Sequence, residues 1–141
     1  MTFLLDTNAV SEPGRKSPDP EFMSWWPDVA SDEIFISVLT LGEIRRGVAS
    51  LPETDERRQR LERFSTNFRL RFGGQLLAID ERVAETWGEL GARLKAEGRS
   101  VGAVDELIAA TALAHDLTVV TRNRRHFEGS GCRLLSPWSG D

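Results

Sequence analysis

Residues 103–121 read AVDELIAATALAHDLTVVT, and this stretch decides the fold. From Ala103 to His115 only Asp105 and Glu106 carry acid charge, and the rest is apolar on nearly every face. A helix that is apolar all round has no side to give to water and belongs in the centre of a domain. The chain then enters Leu117-Thr118-Val119-Val120-Thr121, a β-branched run suited to extended backbone. A buried helix leading into a buried strand is one step of a strand–helix alternation.

The same alternation recurs on either side. Phe3-Leu4-Leu5 is a short core strand, and SEPGRKSPDP (11–20) reads as a loop. Asp19 is placed to cap a helix with Pro20 at its first position, and Pro27 closes it. Residues 33–38 read as a strand. Residues 40–51 read as a helix with Leu41, Ile44, Val48 and Leu51 at helical spacing, ended by Pro52. From Glu53 to about Phe72 an amphipathic helix carries Leu61, Phe64, Phe68 and Phe72, stopped by Gly73-Gly74. Residues 75–79 make a strand, and Asp80 caps a helix through Ala96 with Val83, Trp87, Leu90 and Leu94. A loop (97–102) leads into the central helix, and residues 132–136 form a short edge strand or extended tail. The expected architecture is a single α/β domain over 1–141, three-layered, with a mostly parallel sheet flanked by helices. The apolar stripes of 53–72 and 80–96 suit either the domain's own core or a dimer surface.

Composition bounds the partners. With 141 residues, 40% of them hydrophobic and 28% charged, the chain matches a soluble globular domain. No apolar stretch approaches the roughly 20 residues that span a bilayer, so no membrane is expected. Asp6 interrupts the first apolar run after three residues, unlike a secretory leader. The lone Cys132 excludes an internal disulfide and fits a reducing cytoplasm. A net charge of −4 argues against a general nucleic-acid coat protein. Yet arginines cluster at 57, 58, 60, 63, 69 and 71, and again at 122, 124 and 125. Such groups are either solvated faces or phosphate-facing rims.

Chemistry is to be sought where acids meet element junctions. Asp6 ends the first strand, and Asp105 sits in the first turn of the central helix. Glu43 lies in Thr40-x-x-Glu43, a capping-box pattern that by itself needs no further role. Asp105 shares a face with Ile108, Ala109 and Ala112, where an unpaired charge costs several kcal/mol unless a cation or donor meets it. A fourth junction, TRNRRHF (121–127), offers Asn123, ordinarily a turn residue, and His126, ordinarily a surface or packing histidine. No Ser-His-Asp or Cys-His grouping, glycine-rich phosphate loop or Cys-x-x-Cys pair is present. In a parallel sheet, strand carboxyl ends and the helix starts that follow them share one edge. Several carboxylates on that edge without a lysine suit Mg²⁺ or Mn²⁺, so hydrolysis here is expected to be metal-assisted.

The segments LLDTN (4–8), ISVLTLGEIRRG (36–47), VDELIAATALAHDLTVVTRNRRHF (104–127) and LLSPW (134–138) resemble the PIN-domain ribonuclease toxins, in particular the VapC type and its FitB-like branch. The likeness runs from about Phe3 to Trp138. It implies a metal-dependent endoribonuclease of a toxin–antitoxin system. It also implies a homodimer, neutralised by a small VapB-type antitoxin in a complex that binds operator DNA. On this likeness Asp6, Glu43 and Asp105 match the family's acidic metal site. Thr7 and Asn8 match the turn behind it, and Asn123 matches a fourth ligand position where some members carry Asp. A neutral amide there still offers an oxygen but removes one negative charge, which leaves open one metal or two. The implied chemistry has Asp6 and Asp105 holding Mg²⁺, with Glu43 ligating it or orienting the attacking water, and yields a 5′-phosphate and a free 3′-hydroxyl. RNA approaching an acidic pocket needs a basic rim, expected from Arg122 and Arg124 and, less directly, from the arginines of 57–71.

Two other readings compete. Phosphatases of the haloacid dehalogenase type and response-regulator receivers also place an Asp after the first strand. The former want a second Asp where Asn8 stands, and the latter a late lysine, whereas Lys16 and Lys95 are the only lysines. The alternative within the family is a catalytically weakened domain that only binds antitoxin or operator complex, a reading that Asn123 favours.

Overall fold

In the computed structural model, which describes residues 1–26, 29 and 31–140, strands β1 (Phe3–Leu5), β2 (Ile34–Ser37), β3 (Leu76–Leu77), β4 (Thr118–Val120) and β5 (Leu134–Leu135) form one sheet in the order β3-β2-β1-β4-β5. Every pairing is parallel, with Leu4 opposite Phe35 on one side and Val119 on the other. The first strand is therefore central. Helices α1 (Thr7–Ser11), α2 (Pro20–Trp25), α3 (Val38–Ala49), α4 (Glu56–Phe72), α5 (Glu81–Ala96) and α6 (Ala103–His115) supply the connections and the outer layers.

Strand pleating divides the core in two. Phe3, Leu5, Ile34, Ile36 and Val120 point to one layer, where they meet Phe22, Ile44, Phe68, Phe72 and Trp138. Leu4 and Val119 point to the other, packed on Leu90 and Leu94 of α5 and on Ile108, Ala109 and Ala112 of α6. Both faces are covered, which is why the strands are uninterrupted apolar runs rather than alternating ones. The alanines of α6 let α5 approach closely, with Val83 against Ala110 and Ala114. The expected three-layer α/β fold is thus observed. Phe64, Phe68 and Phe72 of α4 and Val83, Leu90 and Leu94 of α5 turn inward. The stripes of these two helices are mainly intradomain core.

Several boundaries differ from the sequence reading. The helix placed at 40–51 starts at Val38 and ends at Ala49, and its cap is Ser37, whose Oγ accepts from the Leu39 N–H at 3.1 Å. Thr40 is inside the helix and fully buried, so Thr40-x-x-Glu43 is not a capping box. The helix expected from Glu53 starts at Glu56, because Asp55 caps it through the Arg57 N–H. The start of residues 11–20 is the end of α1 followed by a 3-10 turn, Glu12–Gly14. Buried Glu12 is the pin of that turn, accepting from Trp138 Nε1 at 3.0 Å and from the Asp19 N–H at 3.2 Å. The strand read at 75–79 pairs only at Leu76–Leu77, since Ile79 packs toward α5 and α6 instead. The helix stop expected at Pro27 lies outside the described residues. No described helix is long and apolar enough to cross a membrane.

Candidate active site

All five strands run the same way, so their carboxyl ends meet one edge. Asp6 follows β1 there, and its own N–H extends the ladder to the Val120 carbonyl at 3.1 Å. The Asp6 side chain caps α1, accepting from the Ala9 N–H at 2.9 Å. Asp105 stands in the first turn of α6, whose cap, Gly102, contributes no side-chain bond. Glu43 projects from the second turn of α3, beyond the cap at Ser37.

These residues line one cavity of about 300 Å³, formed by Asp6, Thr7, Asn8, Glu43, Asp105, Ile108, Asn123, His126 and Phe127. Larger hollows exist, one of about 460 Å³ between α3 and α4, but it holds none of the candidate acids. Three acids from three distant segments thus share a small polar chamber. Each has its own donor. The Thr7 hydroxyl donates to Glu43 Oε1 at 2.6 Å, and His126 Nδ1 lies 3.1 Å from Asp105 Oδ2. Asp6 is hydrogen-bonded by the Thr121 side chain as well as by Ala9.

The electrostatics follow from crowding. Burial lifts the Asp6 carboxyl above its ordinary range, with Asp105 and Glu43 adding repulsion against the hydrogen bonds from Thr121 and Ala9. Burial also lifts Asp105, the charge of His126 opposing this and Glu43 adding to it. No arginine or lysine is ion-paired to any of the three among the described residues. A partly buried, mutually repelling set of hard oxygens without a fixed cation among the described residues is the donor chemistry a small divalent ion takes. As they stand, no three His, Cys, Asp or Glu side chains among the described residues are drawn together tightly enough to hold one. Glu43 is turned onto Thr7 and Asp105 onto His126, as repelling carboxylates with donors in reach will be.

A family model, the PIN domain, matches residues 3–129. The chain belongs to the PIN domain family. This PIN domain is 34% identical over 135 residues to the Toxin FitB of Neisseria gonorrhoeae, spanning 96% of this chain and 97% of that protein. It is 31% identical to VapC ribonuclease Y4jK of Sinorhizobium fredii over 96% of each. Its fold superposes on the structure of FitAB bound to an IR36 DNA fragment with a TM-score of 0.91 and 32% identity, over 99% of this chain and 98% of that one.

The remaining candidates have these positions. Asn123 lines the cavity and is otherwise exposed, its N–H bonded to Thr121 Oγ1 at 3.0 Å. Asn8 lines it too. Arg122 and Arg124 flank Asn123 on the exposed surface, outside the cavity lining. Of the arginines in 57–71, Arg57 pairs with Asp55, Arg58 bonds Glu62 and the Leu51 carbonyl, and Arg71 lies over the rings of Trp26 and Phe72. Sequence reasoning missed two polar residues. Thr121 read as a strand end, and His126 read as a surface or packing histidine. The only signal for either was membership of the TRNRRHF junction already singled out for Asn123.

Proposed function

We propose that this PIN domain is the toxin of a toxin–antitoxin pair, acting as an Mg²⁺-dependent endoribonuclease. Mn²⁺ would fit the same oxygen donors. The observation that carries the reading is the convergence of Asp6, Glu43 and Asp105 on one cavity, with mutual repulsion and no fixed cation. The likeness to Toxin FitB and to a VapC ribonuclease supports the activity class.

Asp6, Asp105 and Glu43 would hold the ion, with Asn123 offering a neutral oxygen at the rim. When bound, Mg²⁺ supplies Lewis acidity toward a phosphoryl oxygen and lowers the pKa of a coordinated water. The chain contributes the rest. Glu43 orients the attacking water, and its own aim is fixed by Thr7. Asp6 is held by the start of α1 and by Thr121, so the negative charge that attracts the ion is placed before RNA arrives. In-line attack then leaves a 5′-phosphate and a free 3′-hydroxyl. Arg122 and Arg124 would carry the RNA backbone at the rim.

The structure similar to this chain is a FitAB complex on DNA. A small VapB-type antitoxin is accordingly the proposed partner, with toxin homodimers joining it on operator DNA in the cytoplasm. The second reading, a weakened domain that only binds such partners, is favoured by Asn123, where a carboxylate would strengthen the ion's hold. One experiment separates them. Purified protein is incubated with RNA in Mg²⁺ or in chelator, beside D6N and D105N. Cleavage in Mg²⁺ alone, lost by ~100-fold or more in both variants, supports the nuclease, since the ion's polarisation amounts to several kcal/mol. Full activity in chelator or in either variant refutes it.

A further inference from the structure

We propose that His126 is a positioning residue for the metal site: its Nδ1–H holds Oδ2 of Asp105 and so aims that carboxylate at the ion. The inference rests on the metal-dependent reading above and adds to it a residue that the family likeness did not supply.

The contact is built by the chain. His126 belongs to the 3-10 turn Arg124–Phe127, which follows β4 after Thr121. Three restraints fix that turn over the start of α6. The Asn123 N–H bonds Thr121 Oγ1 at 3.0 Å, the His126 N–H bonds the Asn123 carbonyl at 3.0 Å, and Phe127 is buried in the core beside Ile108 and Ala109. The ring is thus delivered to Asp105 by neighbours that are themselves held. A freely rotating surface histidine would lack them.

Asp105 needs such a partner. Among the described residues nothing else bonds its carboxylate, because Gly102 caps α6 without a side chain and Asp105 itself caps nothing. The 3.1 Å contact engages Oδ2 and leaves Oδ1 unclaimed. It does not depend on ionisation, since both the Nδ1–H tautomer and the imidazolium donate from Nδ1. Asp6 and Glu43 have equivalent partners in Thr121 and Thr7. The site is therefore one in which each acid has a donor from a different segment. Groups that orient metal ligands in this way commonly matter 10–100-fold in metal affinity.

The test reads metal binding. Mn²⁺ affinity of the chelator-stripped protein is measured by titration with electron paramagnetic resonance of the free ion, for wild type, D105N, H126N, H126L and H126A. Asn places an amide N–H where the ring Nδ1 was, both one bond from Cγ, whereas Leu and Ala have no donor. His126 has more than half its side chain in solvent, so all three variants should keep the wild-type melting temperature. Expected are near-wild-type affinity in H126N and a 10–100-fold loss in H126L and H126A. Undiminished binding in both donor-less variants overturns the proposal. So does an equal loss in all three, because bulk or shape would then be at work. Wild type that takes up no Mn²⁺, or D105N that binds as wild type does, overturns the metal reading itself and this inference with it.

Discussion

The Thr7 hydroxyl donates a 2.6 Å hydrogen bond to Glu43 Oε1, joining the first turn of α1 to the second turn of α3. It is the shortest of the polar contacts described around the cavity, and it spans two elements that leave neighbouring strands at the same edge.

From this contact a kinetic consequence follows. Thr7→Val removes the donor while keeping the branched shape, so Glu43 loses its aim without a gap in the packing. Cleavage should fall by about tenfold, in the range typical for groups that orient site carboxylates. Thr7→Ser, which restores the hydroxyl, should recover most of it. Melting temperature should barely move, because the pair is solvent-exposed and such bonds contribute little to stability. Equal activity in Thr7→Val and wild type would show that Glu43 needs no anchor.

Ser37 and Thr40 provide a test of which residue starts α3. Ser37→Ala removes the acceptor for the Leu39 N–H and should cost ~1 kcal/mol. Thr40→Val should be neutral or stabilising, because Thr40 Oγ1 is buried with no partner among the described residues and a methyl has no desolvation penalty. Urea unfolding midpoints at constant slope compare the two. The reverse ranking would return the cap to Thr40.

The confusion between those two residues shows where the sequence was ambiguous. Only Thr40-x-x-Glu43 carries the capping-box pattern, whereas Ser37 has Thr40 rather than an acid three residues on, and β2 passes into α3 with no loop residue to mark the junction. By contrast the span of α6, residues 103–115, was legible to the residue, because a loop ending in Gly102 precedes it and only a buried helix tolerates such apolarity; in the structure Asp116 ends it in the left-handed region at φ 54°. Asp6, Glu43 and Asp105 were legible as candidates because they stand near element junctions and match the acidic positions of the family that the sequence resembles. Their donors were not. His126 meets Asp105 only after the 3-10 turn Arg124–Phe127 folds back over α6, a long-range event that local spacing does not encode.

Acidity offers a second readout of the same cavity. Burial raises the carboxyls of Asp6 and Asp105, each further raised by facing acids, so both hold a proton more tightly folded than unfolded. Between the unfolded and folded values the native state binds the extra proton, and stability rises as pH falls through that interval. Asp19, held low by the Phe22 N–H, and Asp55, held low by Arg57, act with the opposite sign, but only below the ordinary carboxylate range. In chelator, wild type should therefore gain melting temperature relative to D6N/D105N as pH falls from neutral toward the ordinary carboxylate value of ~3.9. At neutral pH the double variant should be the more stable protein. A difference that stays constant across this interval would mean that the two carboxyls titrate normally.

The last prediction concerns the exposed arginines beside Asn123. An acidic protein must bring a polyanion to an acidic cavity, and Arg122 and Arg124 are cations flanking its rim residue, with no ion-pair partner among the described residues. If each neutralises one phosphate of a single strand, each releases condensed counterions, and the slope of log K against log salt carries ~0.7 per contact. Binding of catalytically silent D105N to an RNA oligonucleotide, measured from low to moderate salt, isolates this term from cleavage. Replacing both residues by Gln should flatten the slope by ~1.4 and weaken binding most at low salt. The same pair of changes at Arg57 and Arg71, which are committed to Asp55 and to the Trp26 and Phe72 rings, should alter the slope far less. Equal effects at both places would mean that RNA follows the α4 face instead, and an unchanged slope at 122 and 124 would remove them from the RNA path.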